Sequence, residues 1–87
     1  MSNQAPLQFP VEFPIKIMGR DTPAFHAAVA AIISRHAAPF ETLAVTRQPS
    51  RKGRFISLTV TIDAASRAQL DALYAELSGN EHVLVAL

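Results

Sequence analysis

The sequence has no cysteine and no tryptophan, only three glycines, and no apolar run long enough to cross a bilayer. Without cysteine there is no disulfide framework, no thiol nucleophile and no zinc site built on sulfur, and a reducing cytoplasm is the expected compartment. The first residues show neither the basic segment nor the apolar core of a secretory signal. An excess of one charge is missing too. Eight Lys/Arg against seven Asp/Glu leave a formal +1, so no global field draws the chain to nucleic acid or to an acidic membrane, and any such binding must come from a local patch. What the chain does have is apolar residues, 49% against 17% charged, which is too hydrophobic for intrinsic disorder. Its 87 residues make one domain that buries roughly 63% of its unfolded surface, a thin core that leaves little room for a large enzyme cleft.

Residues 1–12, with Pro6 and Pro10 among scattered apolar positions, show neither helical nor strand periodicity and read as an extended lead-in, with Phe9 available to anchor it. A single domain is expected over 13–87. Phe13, Ile15 and Ile17 alternate with Pro14, Lys16 and Met18 in a first strand that Gly19 is expected to stop. Thr22 and Asp21 offer cap oxygens ahead of Pro23, which suits a first helical position, and Phe25, Ala28, Val29, Ile32 and Ile33 form the apolar stripe of a helix that fails near Ala38 and Pro39. Leu43 and Val45 open a second strand ending at Pro49 and Ser50. The third is the clearest: Ile56, Leu58, Val60 and Ile62 on one face, Phe55, Ser57, Thr59 and Thr61 on the other. Ser66 with Gln69 reads as a capping box, Leu70, Leu73, Tyr74 and Leu77 as a helical core stripe, and His82–Leu87 as a last strand.

Strand, helix, strand, strand, helix, strand is the ferredoxin-like βαββαβ order. Right-handed crossovers then place both helices on one face of a four-stranded antiparallel sheet of order 4-1-3-2, an α+β sandwich whose other face is open. That face is expected to carry Phe55, Ser57, Thr59 and Thr61, a mixed surface that water tolerates and a partner could also cover.

Few constellations offer chemistry. His26, His36 and His82 lack the spacing of a helical ligand pair and read as surface histidines; no metal and no cofactor is expected. No serine sits in a glycine-flanked elbow, and the seven acids are dispersed, Asp71 and Glu76 lying five residues apart on different helix faces. The densest charge feature is Arg47, Arg51, Lys52 and Arg54, half of all the basic residues within eight positions on the expected hairpin tip. An RNA-recognition strand would need stacking aromatics here, and Phe55 is the single one in Lys52-Gly53-Arg54-Phe55-Ile56-Ser57-Leu58. Charge that keeps a hairpin soluble is the plainer reading. A second feature is Gly19, Arg20, Asp21, Thr22 and Pro23, where a strand meets a helix N-terminus with free N–H groups.

Taken in order, Phe9-Pro10, Phe13, Lys16, Met18-Gly19, Arg35-His36-Ala37, Pro49-Ser50, Lys52-Gly53, Leu73-Tyr74, Glu76-Leu77, Val85 and Leu87 give a chain that resembles the YbeD-like family of small bacterial proteins over nearly its full length. Ala65 departs from that pattern, in which a Thr or similar cap precedes the second helix. The resemblance implies a fold like the ACT-type regulatory domains, which bind amino acids or related small molecules and pair side by side, and it suggests a link to lipoate metabolism. In such domains the ligand sits near the turn after the first strand, here Gly19 to Pro23, although Ala24 and Phe25 stand where glycine and a smaller aliphatic are usual.

The resulting expectation is a non-catalytic regulatory or adaptor domain, acting on a small metabolite at Gly19–Pro23 or on a protein partner through Lys16 and the Lys52-Gly53 hairpin, with a homodimer as one form. Polyanion or RNA binding through Arg47, Arg51, Lys52, Arg54 and Phe55 is the alternative. No membrane partner is expected.

Overall fold

The computed structural model describes residues 7–87 and follows the expected order: β1 (Val11–Arg20), α1 (Pro23–His36), one turn of 3₁₀ helix (Phe40–Thr42), β2 (Ala44–Pro49), β3 (Phe55–Ala64), α2 (Arg67–Ser78) and β4 (Val85–Ala86). The four strands form one sheet in the order β2-β3-β1-β4, antiparallel throughout, which is the ferredoxin-like α+β arrangement. β1 and β3 are its spine, paired residue by residue from Val11↔Ala64 to Arg20↔Phe55.

Local chemistry sets the helix ends. Thr22 Oγ1 accepts from the Phe25 N–H at 3.1 Å, with Pro23 at the first helical position. Ser66 Oγ accepts from the Gln69 N–H at 3.1 Å, and the Gln69 side-chain carbonyl accepts in return from the Ala65 N–H. The return bond of the capping box is therefore displaced one residue outward, to the N–H of Ala65, and the cap itself is the Ser66 hydroxyl. The other end of the Gln69 amide donates to the His36 carbonyl at 2.8 Å, tying the last turn of α1 to α2.

The covered face of the sheet sends Ile15, Ile17, Leu58, Val60 and Ile62 against Phe25, Val29, Ile32 and Ile33 of α1 and Leu70, Leu73 and Leu77 of α2, all buried. Each such side chain contributes about 1.5–3 kcal/mol, so this layer dominates stability. Phe9 packs against the same cluster. Residues 1–6 of the expected lead-in lie outside the described residues, while Val11 and Glu12 already belong to β1, opposite Ala64 and Asp63.

Two further expectations are corrected. Gly19 does not stop the first strand; it pairs with Ile56, and the strand runs on to Arg20. Its lack of a side chain has another cause, since a Cβ there would lie 2.5 Å from both the His82 carbonyl oxygen and Phe25 Cδ1. The last strand is confined to Val85–Ala86, because residues 80–84 turn, with Val83 N–H bonded to the Asn80 carbonyl, to drop Val83 into the core. Ser57 is buried on the open face, 8% exposed, because Met18 and Gln48 stand directly opposite it on the two flanking strands.

A proline stands on the outer edge of β2 and another on the part of β1 that the short β4 leaves uncovered. Lys16 exchanges both backbone bonds with Leu87, at 3.0 and 2.8 Å, so alternate residues of β1 face that side, and Pro14 has no N–H to offer there. On the far edge Ser50 N–H bonds the Phe55 carbonyl, which turns Gln48 and Thr46 inward and leaves Pro49 and Arg47 facing out.

Candidate ligand site

The register lines up one row across all four strands on the open face: Gln48, Ser57, Met18 and Val85. At the Phe55 end of this row lies a cavity of about 330 Å³, open to solvent. Met18, Pro49, Phe55, Ile56, Leu84 and Val85 give it apolar walls, and Gly19 also lines it. Phe55, Leu84 and Val85 are exposed, so this is also where the molecule shows apolar surface to water. Gln48, Ser50 and Ser57 are its polar residues, and no charged side chain lines it. The Ser57 hydroxyl is buried without a hydrogen-bond partner among the described residues. At the margin the Arg20 guanidinium lies 5.4 Å from the centroid of the Phe55 ring, a cation–π contact that holds a positive charge beside an apolar wall.

A second, smaller cavity of about 190 Å³ lies next to it, lined by Arg20, Thr22, Glu81, His82 and Leu84. Leu84 belongs to both. The segment expected to bind a ligand is therefore divided. Gly19 lines the apolar cavity, Arg20 and Thr22 the polar one, Asp21 turns aside to bond His26 Nε2 at 2.7 Å, and Pro23 starts α1.

The expected contact residues disperse too. Arg51, Lys52 and Gly53 form the exposed turn between β2 and β3, in which Gly53 takes a φ of 73° that only glycine adopts without strain. Ser50 Oγ accepts from the Phe55 N–H at 3.1 Å and closes this turn. Arg47 lies on β2, Lys16 on the open face of β1, and Arg54 just before β3; all are exposed, and of the whole set only Phe55 reaches the cavity.

The histidines have acidic neighbours that spacing does not reveal. His36 Nε2 lies 2.7 Å from Glu76 Oε1, and Arg35 pairs with the other oxygen of the same carboxylate. Hydrogen bonds from Arg35 first, and then His36, hold the Glu76 carboxyl below its ordinary range, and Arg35 is raised in return. This cluster staples α1 to α2 and lines neither cavity. Among the described residues no three His, Asp or Glu side chains gather as a metal site would require, and no helix is long and apolar enough to cross a membrane.

Sequence reasoning did not single out Gln48, Ser57, Leu84 or Val85. Alternation puts Ser57 on the open face with Met18, but the register that sets them side by side with Gln48 and Val85 is a property of the folded sheet.

Among solved structures, the ACT domain of a GTP pyrophosphokinase from Chlorobium tepidum is similar, with a TM-score of 0.62 at 19% identity over 88% of this chain and 97% of that one. An uncharacterised protein of Thermotoga maritima has a TM-score of 0.63 at 13% identity, covering 85% and 90%. These likenesses show the fold. In sequence, a UPF0250 protein of Leptothrix cholodnii is 43% identical over 97% of this chain and 92% of its own length, and one of Nitrosomonas europaea is 38% identical over 100% and 98%. A family model described as a protein of unknown function (DUF493) matches residues 4–87. The chain thus belongs to the UPF0250 (DUF493) family, the YbeD-like proteins that its sequence resembles.

Proposed function

We propose that the protein is a non-catalytic regulatory domain that responds to a small molecule bound in the apolar cavity on its open sheet face. The observation that carries this reading is the cavity itself, about 330 Å³, within the size range of small-molecule sites (~300–1,000 Å³) and built from all four strands and the turn after β2. A cytoplasmic location agrees with a sequence free of cysteine. The lipoate association implied by the family resemblance supplies two ligands to try, octanoate and lipoate. Pro49 on the outer edge of β2 and Pro14 on the uncovered part of β1 weigh against a dimer paired through those stretches, and light scattering is expected to return the mass of one chain.

The test is an amide-resolved NMR titration of the labelled protein with free amino acids, octanoate, lipoate, nucleotides and a short RNA. Saturable shifts centred on Met18, Phe55, Ser57 and Val85 are expected with at least one small molecule. Silence at these amides across the panel overturns the reading.

The second reading, polyanion binding at the hairpin, is favoured by one observation: Arg47, Arg51, Lys52 and Arg54 are exposed, and no described acid lies within ion-pair distance of them. It predicts shifts confined to residues 47–55 with RNA or nucleotides, weakening steeply with salt and abolished when the four are changed to Ala.

A further inference from the structure

The two cavities meet at one cation. We infer, resting on the reading above, that together they take an amphipathic anion, with its apolar body in the larger cavity and a carboxylate or phosphate held at Arg20 in the smaller one.

No residue lining the larger cavity bears a charge, so a charged group drawn inside it would lose its hydration without a counter-ion. The charge of a ligand seated there has to lie outside, and the smaller cavity begins across a shared wall, Leu84. Arg20 stands at that boundary. It lines the smaller cavity, while its guanidinium lies 5.4 Å from the centroid of Phe55, which lines the larger one. Stacking engages the flat face of a guanidinium and leaves its in-plane N–H donors for other partners, in a fork that matches carboxylate and phosphate oxygens. No described acid lies within ion-pair distance of Arg20. The contact with Phe55 therefore sets a cation in place without neutralising it.

The surroundings favour negative over positive charge. Thr22 lines the smaller cavity beside Arg20, and its oxygen accepts from the Phe25 N–H, which leaves the hydroxyl proton to donate. Asp21 N–H bonds the Arg54 carbonyl at 2.9 Å, tying the basic turn, with Arg51, Lys52 and Arg54 all exposed, to the same end of the molecule. That surplus of cations raises the local concentration of anions. Of the two acids nearby, Asp21 is bonded to His26. Glu81 lines the smaller cavity, but its side chain is 87% exposed, and a carboxylate standing in water holds an ammonium only weakly.

Hexyl phosphate, hexanoate, 1-hexanol and hexylammonium share one chain and differ in charge, so NMR titrations with them read the preference directly. The two anions should give saturable shifts at Met18, Phe55 and Val85 and also at Arg20, Thr22 and His82. Hexanol should give weaker shifts at the first three alone, and hexylammonium the weakest. The tighter of the two anions assigns the head group. Arg20→Gln should weaken the anions roughly tenfold, the value of one charge-assisted hydrogen bond, and leave the affinity for 1-hexanol unchanged, a split that a misfolded variant cannot give. Glu81→Gln should tighten the anions roughly two- to threefold by removing a repulsive charge. Hexanol or hexylammonium binding as tightly as either anion, or Arg20→Gln weakening every probe alike, would overturn the amphipathic anion and leave the regulatory reading standing. Cavity shifts produced only by compounds without net negative charge, such as leucine, would do the same. Silence at the cavity with every compound would remove both.

Discussion

On the covered face of the sheet Ile15, Ile17, Leu58 and Val60 are sealed under two helices, whereas on the open face of the same strands Pro14 and Lys16 are exposed and Thr59 and Thr61 half-buried. Only near the Phe55 end does the open face gather an apolar lining, in the row from Gln48 to Val85. The contrast separates two demands on one backbone. Packing dictates the residues on the covered face almost entirely. The open face is free of that demand, so the exposed apolar residues Phe55, Leu84 and Val85 there call for another explanation, and ligand binding is the one proposed above.

If that division holds, substitutions should differ by face. Phe25→Ala, which empties the buried ring beneath Gly19, is expected to cost about 3–5 kcal/mol in denaturant unfolding. Thr59→Ala on the open face should stay within about 0.5 kcal/mol, and equal losses at the two positions would break the comparison. Gly19→Ala is next, because its methyl must displace the Phe25 ring or the His82 carbonyl: a loss of about 1–3 kcal/mol, measured the same way. It should also disturb the cavity, since Gly19 lines that wall while contacting the core through the other side. Thr22→Ala removes the α1 cap at a cost of about 1 kcal/mol, which a thermal melt resolves.

The smallest effect belongs to the exposed helix staple. Glu76 has its carboxyl pKa depressed in the folded state by Arg35 and His36. Its contribution is therefore present above the unfolded value of ~4.3 and lost as pH falls through the lower folded value. Melting midpoints taken across acid pH should fall less steeply in Glu76→Gln than in the parent, and parallel curves would show that the staple is fully screened by solvent.

Much of this architecture was legible in the sequence. The alternation of Ile56, Leu58, Val60 and Ile62, the Thr22-Pro23 and Ser66-Gln69 caps, and the leucine stripe of α2 are local signals, and local signals survive into the fold. Gly19 shows where they fail. In sequence a glycine after an alternating run reads as punctuation; in the structure its absence of a Cβ answers to Phe25 and to the His82 carbonyl, one packed over it from the next helix and the other brought back from the end of the chain. The site was less legible for the same reason. Gln48, Ser57, Met18 and Val85 come from four strands, and nothing in their spacing announces that they share a row. Likewise Arg35, His36 and Glu76 stand some forty residues apart and meet only because α1 and α2 lie side by side.

The order in which the strands arrive along the chain also governs how the site comes into being. β2 and β3 close across a short turn, but β1 lies between two strands that both follow it, one of them the last element of all. Such distant pairing carries a large entropic cost before any contact rewards it, and it belongs late in folding. Leu84 and Val85 reach Met18 in that late step, through few backbone bonds, so the cavity forms only when the topology is complete. A bound ligand accordingly acts on the clock more than on the blueprint: it leaves the folding rate nearly unchanged and slows unfolding.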